Sequence, residues 1–218
     1  MLTSQIWESA VAGATSPTEV IGENPDSWQS DVTFTHGLAL VLDEEAQVLI
    51  DAIRTRLRDA GIPVIGYPGH VTLCCLAACG TGSVDIPAGS DPVGRSDPAA
   101  QVRRAVSELG MPTRLRMSCA QVLPGASGVV ALIVAPEARL RRAHRRLHDR
   151  LASDGVTTFN FYSPAVWFPH VSIGFHVPAA QLDQAQQMVA GFAPVEVGLA
   201  GISMWTIGTD EQRLLIRF

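Results

Sequence analysis

Apolar residues recur along this chain in two alternating rhythms, every second position in some stretches and every third or fourth in others, which are the periods of strand and helix. Residues 32–41 predict a strand with Val32, Phe34, His36, Leu38 and Leu40 on one face. Asp43 is placed to cap a helix in which Ala46, Leu49, Ile50, Ile53 and Leu57 share a side, and Gly61 is placed to end it. A strand follows at 71–78. Residues 80–98 carry Gly, Pro, Ser and Asp without periodicity and read as a long loop able to cover a cleft. Asp97 and Pro98 then suit the cap and first residue of a helix running to Leu109 and closed by Gly110. Strands are predicted at 114–122 and 128–135. The helix expected at 137–151 has an apolar seam of Leu140, Ala143, Leu147 and Leu151. A strand at 166–177, a helix opened by Pro178 and running to about Ala190, and two strands at 195–207 and 213–218 joined near Gly208 complete the pattern.

Laid side by side, the two halves read as strand, helix, strand, helix, strand, which predicts an α+β domain built by internal duplication. Residues 1–30, rich in Ser, Thr, Gly and Pro with a short helix predicted near 6–11, read as an arm of unknown role, and 31–218 as one domain. The third element of each half carries the most specific signal. Pro68-Gly69-His70-Val71-Thr72-Leu73 and Phe168-Pro169-His170-Val171-Ser172-Ile173 each set a His, an apolar residue and a hydroxyl residue in a row. On a strand the imidazole and the hydroxyl share a face while Val71 and Val171 point the other way. Two such strands, expected to be central in their lobes, supply two groups that titrate near neutrality and two donors for an oxyanion, which suits in-line chemistry at a phosphodiester.

The paired H-x-T/S segments resemble the 2H phosphoesterase superfamily, typified by LigT-like 2′-5′ RNA ligases and cyclic phosphodiesterases, over about residues 32–218. The resemblance implies two pseudo-twofold lobes of mainly antiparallel sheet with flanking helices and a central cleft. It implies a metal-independent phosphodiesterase acting on a nucleotide or RNA terminus, a 2′,3′-cyclic phosphate or a 2′-5′ linkage, with His70, Thr72, His170 and Ser172 as the catalytic set and no cofactor. Alternatives left open are ligation in the reverse direction, hydrolysis of a cyclic signalling nucleotide, and a non-catalytic RNA-binding module.

Charge narrows the choice of partner. The chain carries 21 acidic and 16 basic residues for a net charge of −5, and every basic residue is an arginine. That balance argues against a protein that tracks duplex DNA, and leaves a small nucleotide or an RNA end. Arg116 is the first candidate for a phosphate-binding cation. Tyr67 and Trp167 flank the motifs as either base-stacking or core residues, and His36 is either structural or a secondary contact in the cleft. The arginines of the 137–151 helix are either a solvated face or a nucleic-acid surface. Cys74, Cys75 and Cys79 near His70 lack the spacing of a zinc site, so no metal and no disulfide are expected. With no apolar run long enough for a membrane span and no secretory leader pattern, the expectation is a cytoplasmic monomer.

Overall fold

A computed structural model describes residues 34–77, 98–123, 128–209 and 211–218. The proposed arm, the short helix within it and most of the 80–98 loop lie outside the described residues. The alternation at the start of the domain forms β1 (Phe34–Leu42), with Leu38 and Leu40 fully buried. Asp43 then caps α1 (Glu44–Asp59) as predicted, its side chain accepting from the Ala46 amide at 2.9 Å. The remaining elements are β2 (His70–Ala77), α2 (Pro98–Ser107), β3 (Arg114–Leu123), β4 (Gly128–Val134), α3 (Ala138–Ser153), β5 (His170–Val177), α4 (Leu182–Val189), β6 (Val195–Thr206) and β7 (Gln212–Arg217).

Two of the predicted boundaries shift for local reasons. Residues 166–169 are not strand, because Pro169 cannot donate to a ladder and β5 starts after it. The helix expected from Pro178 is split into a short 3₁₀ turn, Ala179–Gln181, and α4. None of the helices among the described residues is long and apolar enough to cross a membrane.

The seven strands pair antiparallel throughout, in the order β2-β1-β6-β3-β4-β5, with β7 also on β6. Each half gives its last strand to the other lobe. β3 pairs with β4, while β6 pairs with β1 through Leu199–Thr206 and with β3 through Val195–Gly198, so that β6 is the shared spine. One core of aliphatic residues runs from Leu38, Val71 and Leu73 through Leu132, Val171 and Ile173 to Leu140, Leu147 and Leu151 of α3. This is the α+β arrangement that the duplicated pattern predicts, with the mainly antiparallel sheet that the family resemblance implies.

The sheet order corrects one expectation. The strands that carry the motifs are the outermost strands of the path, β2 at one end and β5 at the other, and not central ones. They meet because the ends of the path are brought together: Ile65, in the connection before β2, donates its amide to the Ile173 carbonyl of β5 at 2.8 Å. An edge strand has one row of backbone groups free of the sheet, and here those groups join the two lobes.

Candidate active site

The first five residues of β2 and β5 repeat each other in burial. In both, the His is half-buried, the following Val is fully buried, the hydroxyl residue is half-buried, and the next two residues are buried. The break in alternation is a bulge at the same place in each strand. Leu38 and Ala39 oppose Cys74 and Thr72, which leaves Leu73 as the extra residue; Val130 and Ala131 oppose Gly174 and Ser172, which leaves Ile173. The structure therefore puts His70 with Thr72, and His170 with Ser172, on the strand face turned away from the main core. It also links the two motif segments. The Trp167 indole Nε1, three residues before His170, donates to the Thr72 carbonyl at 2.9 Å, and the positive charge of one imidazole is felt by the other.

Each imidazole is held in the same way. His70 Nδ1 bonds the Pro68 carbonyl at 2.8 Å, and His170 Nδ1 bonds the Phe168 carbonyl at 2.8 Å. A carbonyl oxygen only accepts, so Nδ1 carries the proton in both rings and Nε2 is the nitrogen left outside that bond, able to accept a proton when neutral and to donate one when protonated. Burial pushes the His70 pKa down to about 4, with smaller contributions from the nearby charges of His170 and Arg54, while the bond to Pro68 acts in the opposite sense. His170 is lowered as well, again chiefly by burial.

The supports around the two rings differ. On the first side the Gln47 side chain of α1 is bonded to the Gly69 peptide in both directions, Gly69 N donating to Oε1 at 2.7 Å and Nε2 donating to the Gly69 carbonyl at 2.8 Å. Gly69 is tightly surrounded: a Cβ there would lie 3.1 Å from both Ile50 Cγ1 and Leu42 Cδ1 and 3.2 Å from Gln47 Oε1, so those side chains would have to give way by a few tenths of an ångström. The His70 ring also meets Trp205 of β6 edge to face, centroid to centroid 4.1 Å at 78°. That indole lies across β1 because position 37 is glycine; a Cβ there would overlap the indole Nε1. On the second side Pro169 replaces Gly69, its carbonyl accepting from Val134 N at 3.0 Å, and the neighbouring aromatic is Phe168, 6.1 Å from the His170 ring.

The strands beside the two motifs differ too. Ser172 and His170 stand beside Ala131 and Ile133 of β4, which belong to a small apolar layer with Leu123, Val129, Cys119 and Phe168, separate from the main core. Beside Thr72 the cross-strand neighbours are Ala39 and then Ser203, whose hydroxyl accepts from Gln212 Nε2 at 2.9 Å. Tyr162, in the turn before the second motif, reaches the Thr72 side chain with its hydroxyl, and burial pushes its phenol pKa up.

The other sequence candidates fare unevenly. Trp167 is not free to stack on a base: it is 5% exposed, lies flat on His144 at 3.7 Å and 5°, and spends its N–H on Thr72. His36 shares the face of Leu38 and Leu40, opposite to that of His70, with its Nδ1 2.9 Å from the Thr35 hydroxyl, so it does not stand beside the motif histidines. Tyr67 is exposed on the connection before β2. Arg116 is exposed on β3 and, by register, shares a sheet face with His170 two strands away; its neighbour Arg114 pairs with Glu196 at 3.7 Å. Arg142, Arg145 and Arg146 of α3 are exposed on the side opposite to the buried face that packs beneath β2. No cluster of three or more His, Cys, Asp or Glu side chains that would suit a metal occurs among the described residues.

Sequence reasoning missed four residues: Gln47, Trp205, Tyr162 as a partner of Thr72, and His144. The last is 1% exposed on α3 and donates Nε2–H to the carbonyl of the bulged Leu73 at 2.9 Å. Gly37, a glycine inside an otherwise apolar strand, was the available signal for Trp205, since such a glycine marks a close approach. A His at the spacing of the α3 apolar seam was the signal for His144.

Residues 40–211 match the family model of the 2′-5′ RNA ligase superfamily. The chain belongs to that superfamily, and so to the 2H phosphoesterases. Among solved structures, it is similar to the MHV ns2 PDE domain, with a TM-score of 0.51 and 16% identity over 81% of this chain and 100% of that one. It is similar to TT0787 of Thermus thermophilus, with a TM-score of 0.50 and 19% identity over 84% and 96%. Apo E. coli LigT gives 0.50 and 16% over 86% and 98%. At these identities the likeness establishes a shared fold. Among curated proteins none matches the sequence.

Proposed function

We propose that this 2H phosphoesterase cleaves a phosphodiester at a nucleotide or RNA terminus, a 2′,3′-cyclic phosphate or a 2′-5′ linkage, by acid/base catalysis shared between His70 and His170. The observation that carries this reading is the matched pair of Nδ1–H···O=C bonds, which leaves both Nε2 atoms as the proton-handling positions beside Thr72 and Ser172. One Nε2 takes the proton from the attacking water or ribose hydroxyl. The other, protonated, delivers a proton to the leaving oxygen as the bond to phosphorus breaks. Thr72 and Ser172 donate to the non-bridging oxygens, whose charge grows in the transition state.

The lowered pKa values fit this cycle. Burial keeps both rings neutral near pH 7. A phosphodiester anion between them raises the pKa of each, since an opposite charge favours the imidazolium, and the charge of one protonated ring disfavours protonation of the other. The bound substrate thus creates the acid–base pair it needs. Reversal of the same steps joins a cyclic phosphate to a hydroxyl, so ligation is available to the same groups.

The test is turnover of a panel of 2′,3′-cyclic nucleotides and 2′-5′ linked dinucleotides by the wild type, His70→Ala, His170→Ala and the double variant. Either single variant is expected to lose roughly 10² to 10⁴ in kcat with little change in KM, and the double to be scarcely worse, because both groups serve one proton-transfer cycle. Near wild-type turnover by both single variants on a substrate that the protein cleaves would refute the reading.

A further inference from the structure

Resting on that reading, we propose that Gln47 is a positioning residue for His70, aiming the carbonyl that fixes its tautomer and holding the peptide from which its side chain springs. The geometry follows from the planarity of two consecutive peptide units. The first contains the Pro68 carbonyl and the Gly69 N–H, which point in opposite directions across a trans peptide. Gln47 Oε1 accepts from Gly69 N at 2.7 Å, and the Pro68 oxygen on the other side of the same plane is bonded to His70 Nδ1 at 2.8 Å. Holding one end of the plane orients the other.

The second unit contains the Gly69 carbonyl and the His70 N–H. Gln47 Nε2 donates to that carbonyl at 2.8 Å, and the Leu42 amide donates to it at 3.3 Å. With both planes fixed, the direction in which His70 leaves the backbone is fixed as well. Gln47 is itself anchored, because Nε2 also reaches the Leu42 carbonyl at 3.3 Å and α1 is locked by its Asp43 cap.

The second motif reaches the same end by other means. There the unit that carries the Phe168 carbonyl joins Pro169, whose ring fixes φ and which has no N–H to hold. The Pro169 carbonyl is met by the Val134 amide at 3.0 Å, as the Gly69 carbonyl is met by that of Leu42. A side-chain amide in one half does the work of a pyrrolidine ring in the other. That correspondence is why the Gln47 contacts read as support for the imidazole and not only as a cap on a loop.

The test uses the whole chain and the variants Gln47→Met, which keeps the length and loses both bonds to Gly69 and the one to Leu42, and Gln47→Glu, which keeps the acceptor for Gly69 N–H. Gln47→Met is expected to lower kcat roughly 10- to 100-fold at nearly constant KM, as expected for slight misplacement of a catalytic group. Gln47→Glu should recover part of the loss. In a His70→Ala background Gln47→Met should cost nothing further, because the group it positions is gone. The His70 titration followed by NMR should move up toward the ordinary imidazole value in Gln47→Met as the ring gains access to water, while His170 stays where it is.

An equal fold-loss in the presence and absence of His70 would overturn the proposal. So would a Gln47→Met variant with wild-type kinetics and an unchanged His70 titration. If His70→Ala itself retains full turnover, the acid/base reading fails, and the NMR titration still decides whether Gln47 holds the ring.

Discussion

His144 gives a quantitative handle on how this fold responds to acid. Its ring is 1% exposed, stacked flat against Trp167, and bonded through Nε2 to the Leu73 carbonyl; burial, the largest cause, pushes its pKa down to about 3. In the unfolded chain the same imidazole titrates near its ordinary value of about 6.5. A folded-state pKa below the unfolded one means that His144 leaves stability intact above about pH 6.5. Its contribution is lost progressively as the pH falls from there toward about 3, since protons then bind the unfolded chain preferentially.

At pH 5 the folded form is still neutral and the unfolded form is almost fully protonated. The loss is therefore set by the 1.5-unit distance from 6.5, or about 2 kcal/mol at about 1.4 kcal/mol per pH unit, whatever the folded pKa is once it lies well below 5. This is a large part of the about 5 to 15 kcal/mol by which a domain is usually stable. The assay is urea unfolding of wild type and His144→Phe at pH 7.5, 6 and 5. Phe keeps a ring against Trp167 and forfeits the hydrogen bond, so the variant should start less stable. Its free energy should nevertheless fall less steeply with pH, and the gap between the two proteins should narrow by about 2 kcal/mol between pH 7.5 and 5. Parallel curves would refute the argument, because they would mean that His144 takes up the same number of protons folded and unfolded.

Other consequences are open to direct measurement. Gly37→Val should displace the Trp205 indole from β1 and against His70, lowering kcat while leaving the cooperative unfolding transition in place; unchanged kcat would separate Trp205 from the site. Trp167→Phe keeps the stack on His144 and loses the bond to the Thr72 carbonyl, so it should cost about 1 kcal/mol of stability, and KM should stay the same because the ring is buried away from the substrate; a large rise in KM would reinstate base stacking. The dependence of kcat on pH should be bell-shaped, with both limbs removed when His70 and His170 are replaced together, as measured on the residual activity.

Much of the fold was legible because its local signals agree. Asp43 as a cap, the α3 seam of Leu140, Ala143, Leu147 and Leu151, and the repeated order of elements each follow from short-range chemistry, and each appears where the pattern puts it. The paired motifs were legible for a related reason: alternation on a strand fixes which side chains share a face before any partner is known. Sheet order was not legible. Nothing local in 70–77 or 170–177 distinguishes an edge from a centre, since the fully buried Val71, Leu73, Val171 and Ile173 look the same in either setting. They are buried by packing across the core and not by strands on both sides.

The edge position also explains why the supporting residues escaped notice. In a central strand the neighbours hold every peptide group, and the supports for a catalytic side chain are anonymous backbone atoms. At an edge one row is free, and groups from elsewhere fill it: the backbone of 157–159 takes Cys75 and Ala77, and two side chains take the rest, Trp167 the Thr72 carbonyl and His144 the carbonyl of the bulged Leu73. Gln47 holds the peptide just before β2 in the same manner. These partners lie far from the motif in sequence and follow no fixed spacing, so a pattern search cannot find them. They are also free to diverge between the halves, which is why one histidine follows a glycine held by an amide and the other follows a proline. The duplication is visible in the residues that face the cleft, and the difference between the two histidines is written in the residues behind them.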